Sequence, residues 1–360
     1  MNANTDAAVV LSGYEDVFQV LRGPGWSSDP SRFTDAPAAT RDIPPSMLIL
    51  MDPPGHTRLR RLLRPSFTRR AIEQAVPNIA VTVDSILDGL GAEFDILADY
   101  AEIVPLAVMA DLMDVGAEGA ALFRAHTPNL VKILEVDSTA DDLAATFDAA
   151  FDVSLFLTPL ILERADRPGN DFISSIVEHS DLTVDEVLSV CILLLAAGQD
   201  SVAHTICNSV LALLEHPDQL GLLHADPKRA VEELLRLNGS IRLLKRMALV
   251  DQRVGDRVIP AGTTVILDLH GANTDPAAYP DPHRLDLGRP YRGHVAFGKG
   301  PHVCLGAALA RVQMIEALTR LFTRFPAIRP AAAELQWRTS ASVYGLRELP
   351  VRVDGAPPRS

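Results

Sequence analysis

Apolar positions recur at helical spacing through most of the 360-residue chain, broken by short connections rich in proline and glycine. One block, from about Met247 to Leu269, alternates instead as strands do. Val187 to Leu214 carries the longest helical pattern and predicts one long helix, with a new turn opening at His216-Pro217-Asp218-Gln219. Its longest uninterrupted apolar run, Val190 to Ala197, is too short to span a bilayer. No internal repeat or low-complexity tract is visible. The pattern predicts a mainly α fold with small β-sheets, an α+β architecture.

Composition narrows the function classes. With 48% hydrophobic and 22% charged residues, the chain buries a large core in one or two domains. A net charge of −13 and a pI near 5.2 argue against nucleic acid or an anionic membrane as partner, while leaving local basic faces open. Three cysteines, Cys191, Cys207 and Cys304, are too few for a disulfide framework and suit a reducing compartment. The N-terminus lacks the basic and apolar regions of a signal peptide, so a cytoplasmic location is expected.

The strongest chemical signal is Phe297-Gly298-Lys299-Gly300-Pro301-His302-Val303-Cys304-Leu305-Gly306, a glycine-punctuated loop that delivers a cysteine to a helix expected from about Ala307. Glycines let the backbone pass close beneath a flat group, and a helix N-terminus favours a thiolate. Most isolated intracellular cysteines are inert buried side chains. Four further segments separate the readings. Ala197-Gly198-Gln199-Asp200-Ser201 places Leu194, Ala197, Gly198 and Ser201 on one helical face. Glu233-Leu234-Leu235-Arg236 sets opposite charges three apart, a spacing that most often gives a minor surface ion pair. His56-Thr57-Arg58-Leu59-Arg60 opens a helix with His56 and Arg60 on one face. Arg246 stands at the head of the strand-like block, two residues before Ala248.

Together these segments resemble the cytochrome P-450 family of haem-thiolate monooxygenases, across nearly everything from Val9 to Val353. Pro301 and Ser201 depart from it: the family often has a small residue at the first position and more commonly threonine at the second. The resemblance implies one domain over residues 1–360, a triangular helical prism around haem b, and Cys304 as the axial iron ligand. Phe297, Gly298 and Gly306 shape the ligand loop, and Ala197 and Gly198 leave room for the cofactor and O2. His56, Arg60, Arg246 and His302 match positions that bind the two propionates, whose burial demands cations. Asp200 and Ser201 match the proton-delivery pair, and Glu233, Arg236 and Arg289 a structural ion network.

The family's N-terminal helix and first strand have no counterpart. Val9 to Val17 resembles the second strand of its first hairpin leading into a helix, which predicts an exposed sheet edge. Arg58, Arg61, Arg64, Arg69 and Arg70 form a basic stripe expected to steer an acidic ferredoxin or flavodoxin, with its reductase, toward the haem edge. No Gly-x-Gly-x-x-Gly nicotinamide or flavin signature is present, so electrons are expected from separate proteins. Leu48, Ile49, Leu194, Ile241, Arg242, Leu244, Val343 and Tyr344 match substrate-facing positions, with Arg242 able to anchor a carboxylate or to point to solvent. The expected activity is insertion of one atom of O2 into, or oxidative coupling of, a small organic or secondary-metabolite substrate. A haem-binding carrier or scaffold without turnover, and a peroxide-driven oxidase, are the alternatives.

Overall fold

Helix starts follow from local chemistry. Thr183 and Glu186 form a reciprocal capping box at the head of Val184–Gly198, Thr139 and Asp142 form another at Ala140–Asp166, and the Asp226 side chain caps Pro227–Asn238, which begins on a proline. The computed structural model describes residues 9–33, 36–178, 181–332 and 334–353, apart from the side chain of Arg69.

Helices dominate, and the sheets are small. A four-stranded sheet runs in the order Val9–Leu11, Thr264–Asp268, Leu243–Ala248, Trp26–Ser27. Its first pair is parallel, with Val9 opposite Val265 and Leu11 opposite Leu267; the other pairs are antiparallel, with Leu244 opposite Leu267 and Arg246 opposite Val265. Val9–Leu11 is therefore an edge strand, as expected, and Val10 on it is 52% exposed. Its partner, however, is the distant strand 264–268 in parallel. A three-stranded sheet joins Glu93–Asp95, Pro350–Val353 and Ile328–Pro330, and Gln252–Val254 pairs with Arg257–Ile259 as a hairpin.

Three apolar clusters fill the interior: one around Asp200–Glu215 and Ala307–Arg324, one around Val184–Gly198 and Ala140–Asp166, and one behind the four-stranded sheet. The single long helix predicted over 187–214 is two helices, Val184–Gly198 and Asp200–Glu215, separated at Gln199, whose φ is −93° and ψ −65°. Two runs, Ala140–Asp166 and Val184–Glu215, are long and apolar enough by length and composition to cross a membrane, because polar residues punctuate both without lowering the average much. In the second, 61% of the most apolar window is buried inside the fold, against 28% in the first.

Candidate active site

The ligand loop is held by its own backbone. Cys304 N–H donates to the Phe297 carbonyl at 2.8 Å, Gly298 N–H to Val295 at 2.8 Å and Val303 N–H to Gly300 at 3.1 Å. Gly300 has φ 68°, and a Cβ there would fall 2.3 Å from the Leu21 carbonyl oxygen, so backbone conformation and space both demand glycine. Gly306 is different: its φ is an ordinary −84° and a Cβ would meet nothing within 4 Å, so its smallness leaves open space at the head of Ala307–Arg324.

Protein surrounds Cys304, yet its side chain is accessible, so the sulfur stands on an internal wall rather than in packing. Burial leaves the thiol pKa raised, with a hydrogen bond from the Gly306 backbone and the charges of Arg60 and Arg311 offsetting it only in part. Among the described residues no cluster of three or more His, Cys, Asp or Glu could hold a metal ion.

His56, Arg60, Arg246 and His302, spread over the chain, converge. The His56 and His302 rings lie 4.0 Å apart between centroids. Arg60 donates from Nη2 to the Val303 carbonyl at 2.6 Å and Arg246 from Nη1 to the Lys245 carbonyl at 2.7 Å, and among the described residues neither pairs with a carboxylate. Both ring nitrogens of His56 are buried without a partner. Asp52 is the one acid in electrostatic range of Arg246 and His56, and it is occupied by the Ser27 hydroxyl at 2.5 Å and the Ser28 N–H at 2.9 Å. Burial lowers the Arg246 guanidinium to a pKa of about 10. Burial, then the Arg246, His56 and Arg60 charges, push His302 down to about 3. Two arginines without a carboxylate partner and two imidazoles under their charge, beside an accessible cysteine, suit a flat ligand carrying two carboxylates, and haem fits that donor set.

Glu233, Arg236 and Arg289 form the opposite arrangement. Arg236 grips Glu233 through two hydrogen bonds of 2.7 and 2.8 Å, and Arg289 Nε reaches the same carboxylate at 2.9 Å. The remaining guanidinium N–H groups donate to the carbonyls of Asn273, Pro282, Pro280, Asp281 and Arg284. Two guanidinium groups share one carboxylate there, and every charged group is hydrogen-bonded.

At the break after Gly198, the Ser201 hydroxyl donates back to the Ala197 carbonyl at 2.7 Å, and the Ser201 carbonyl accepts from Ser240 and Thr205 at 2.8 and 2.7 Å. A Cβ at Gly198 would sit 3.6 Å from Met109 Sδ, an ordinary contact distance. Asp200, expected to reach solvent as a relay, is pinned. Arg338 Nη1 donates to its two oxygens at 2.9 and 3.1 Å and to His204 Nε2 at 2.6 Å. Burial raises the Asp200 pKa, but His204 and Arg338 outweigh it and hold the carboxylate ionised. No sequence pattern connects Arg338 to Asp200 across 138 positions.

The substrate positions divide. Leu48, Ile49 and Leu194 share one apolar cluster, whereas Ile241 and Leu244 pack behind the sheet. Ile241 bridges Val343, and the Arg242 guanidinium stacks over the Tyr344 ring at 4.0 Å with its Nε buried and unpartnered. The larger cavity, about 230 Å³, is lined by none of these eight; Met47, Ile133, Phe147, Ala150, Ile192 and Ala196 form much of its wall. Helix Ala140–Asp166 supplies one side of that cavity. Arg58 also leaves the basic stripe, pairing with Glu186 at 2.5 Å, while Arg61, Arg64 and Arg70 stay exposed.

Comparison with known proteins agrees with this geometry. A family model described as Cytochrome P450 matches residues 227–334. Cytochrome P450 107B1 of Saccharopolyspora erythraea is 37% identical, covering 96% of this chain and 89% of that protein. The 6-deoxyerythronolide B hydroxylase of the same organism is 33% identical over 97% and 91%. A crystal structure of P450BioI with a hexadecenoic acid-ligated acyl carrier protein superposes with a TM-score of 0.90 at 30% identity, covering 96% of this chain and 92% of that one.

Proposed function

This chain belongs to the cytochrome P450 family, whose members bind haem b, and from that premise we propose that it inserts one atom of O2 into a small secondary-metabolite substrate, using electrons from a separate ferredoxin or flavodoxin. The carrying observation is the accessible Cys304 sulfur beside four cationic or protonatable side chains that lack anions. When bound, haem supplies the redox-active iron at which dioxygen is reduced.

The residues have separable tasks. Cys304 ligates, with the Gly306 N–H and the Arg60 and Arg311 charges favouring its thiolate. His56, Arg60, Arg246 and His302 receive the propionates. Ala197 and Gly306 leave room over the two faces, and Phe297 and Gly298 fix the loop. Glu233, Arg236 and Arg289 brace the segment 273–289 through its backbone carbonyls. Ser201 orients a proton once its hydroxyl leaves the Ala197 carbonyl, and Asp200 passes protons inward when Arg338, which is partly exposed, releases it. The apolar cavity beside Met47, Ile192 and Ala196 excludes water and takes an apolar substrate body. Exposed Arg61, Arg64 and Arg70 favour an acidic electron donor.

The reading predicts a thiolate-type carbon monoxide spectrum for the reduced haem protein, lost in Cys304→Ser without loss of fold. A reduced spectrum characteristic of a neutral thiol or imidazole ligand in the unaltered protein would sink it. A peroxide-driven oxidase is the second reading, favoured by the occupied oxygens of Asp200 and the backward-turned Ser201 hydroxyl. Turnover with hydrogen peroxide at a rate that Ser201→Ala leaves unchanged, and none with ferredoxin, would select it.

A further inference from the structure

A second ionic cluster lies behind the ligand loop, separate from the Glu233 network. Arg311, on the first turns of Ala307–Arg324, grips Glu232 with two guanidinium hydrogen bonds, one from Nη2 to Oε2 at 3.0 Å and one from Nε to Oε1. Its guanidinium carbon lies 4.6 Å from the centre of the Phe297 ring. His294 closes the other side: Nε2 lies 3.0 Å from Glu232 Oε2, and Nδ1 accepts from the Ala296 N–H at 3.2 Å. With Nδ1 accepting, the Nε2 proton points at the carboxylate, so His294 is the neutral tautomer and the cluster is one anion against one cation.

The position of that cation matters. Phe297 is the residue whose carbonyl receives the Cys304 N–H. The plate of Arg311 therefore sits on the side chain that carries the sulfur's backbone anchor, and its charge reaches Cys304, as does that of Arg60 from another direction. Lys299 adds a third positive charge close to Arg311 and Glu232.

We propose that Glu232, His294 and Arg311 are positioning residues that hold one fixed positive charge over Phe297 and thereby set how readily haem bound at Cys304 accepts its first electron. The inference rests on the haem-thiolate reading. A cation near the ligand sulfur stabilises the electron-rich ferrous state; its neighbouring carboxylate opposes it. Removing the two partners must therefore move the one-electron equilibrium in opposite directions.

Spectroelectrochemical titration of the holoprotein, with the carbon monoxide spectrum recorded in parallel, tests this. Arg311→Met is expected to shift the ferric/ferrous equilibrium about tenfold toward ferric, 59 mV for a one-electron couple. Glu232→Gln is expected to shift it toward ferrous, and Arg311→Lys, which keeps the charge and loses the plate, to stay within about threefold of the unaltered protein. If both removals move the potential in the same direction, or neither moves it, the inference is overturned. An Arg311→Lys potential that follows Arg311→Met overturns it too, because the geometry and not the charge would then be responsible. Absence of a thiolate-type spectrum in the unaltered protein would instead mark failure of the underlying functional reading.

Discussion

Two arginine-bearing regions of this molecule are built from the same chemistry and have opposite balance. Around Glu233, the Arg236 and Arg289 guanidinium groups share one carboxylate and donate to five backbone carbonyls, so every charged group is hydrogen-bonded. Around His56 and His302, Arg60 and Arg246 both bear on two imidazoles, and their own hydrogen bonds go to carbonyls only. A saturated buried network needs no ligand and serves the fold, whereas a cluster that repels itself is tolerable because something anionic is meant to join it.

The largest expected break is Glu233→Gln. It leaves two guanidinium groups without a counter-charge in the interior, a loss of about 3 to 5 kcal/mol that urea unfolding of the apoprotein will register. Arg246→Met is expected to act with the opposite sign. A cation whose pKa is depressed on folding destabilises the fold wherever it is charged, so its removal should stabilise the apoprotein by about 2 kcal/mol while weakening haem retention. Destabilisation of the apoprotein by that substitution would erase the contrast between the regions.

His270 sharpens the same contrast outside both. Burial, followed by the charges of Arg242, His283 and Arg236, lowers it to about 4. Between pH 6.5 and about 4 the unfolded chain binds a proton that the folded chain refuses, so stability must fall as pH falls through that window. The slope this side chain contributes is at most about 1 kcal/mol per pH unit, less with solvent screening. His270→Gln should remove it, as chemical denaturation at pH 6.5 and pH 4.5 will show; identical slopes in both proteins would refute the assignment. The smallest effect is expected from Ser201→Ala, under about 1 kcal/mol in stability because the lost hydroxyl bond is local to the helix. Its consequence should be confined to the product formed per electron consumed.

Legibility in the sequence followed contact range. Gly298, Gly300 and Cys304 lie within seven residues, and helical spacing alone pairs Glu233 with Arg236. Arg289, Arg246 and His302 were placeable by resemblance, since no local rule links them to their partners. Arg338 escaped because it meets Asp200 through the folded C-terminal turn, and Arg311 because a single arginine on an amphipathic helix looks like a solvated one. Ideal helical spacing also ignores the break at Gln199 and the approach of Met109 to Gly198. The cavity wall on Ala140–Asp166 has no sequence signature, because facing another helix and facing a ligand select the same apolar residues.

The parallel pairing of Val9–Leu11 with Val265–Leu267 also has a bearing on synthesis. Its partner strand leaves the ribosome some 250 residues later, roughly 13 to 50 s at ordinary elongation rates. Throughout that interval the early strand has no native neighbour, and loop closure over such a span makes its pairing one of the last contacts to form. The helix Tyr14–Arg22, whose end the Gly300 turn rests against, waits with it. The ligand loop is therefore joined to its supporting helix across nearly the whole described chain, so that contact, like the strand pairing, belongs to the late, long-range part of folding.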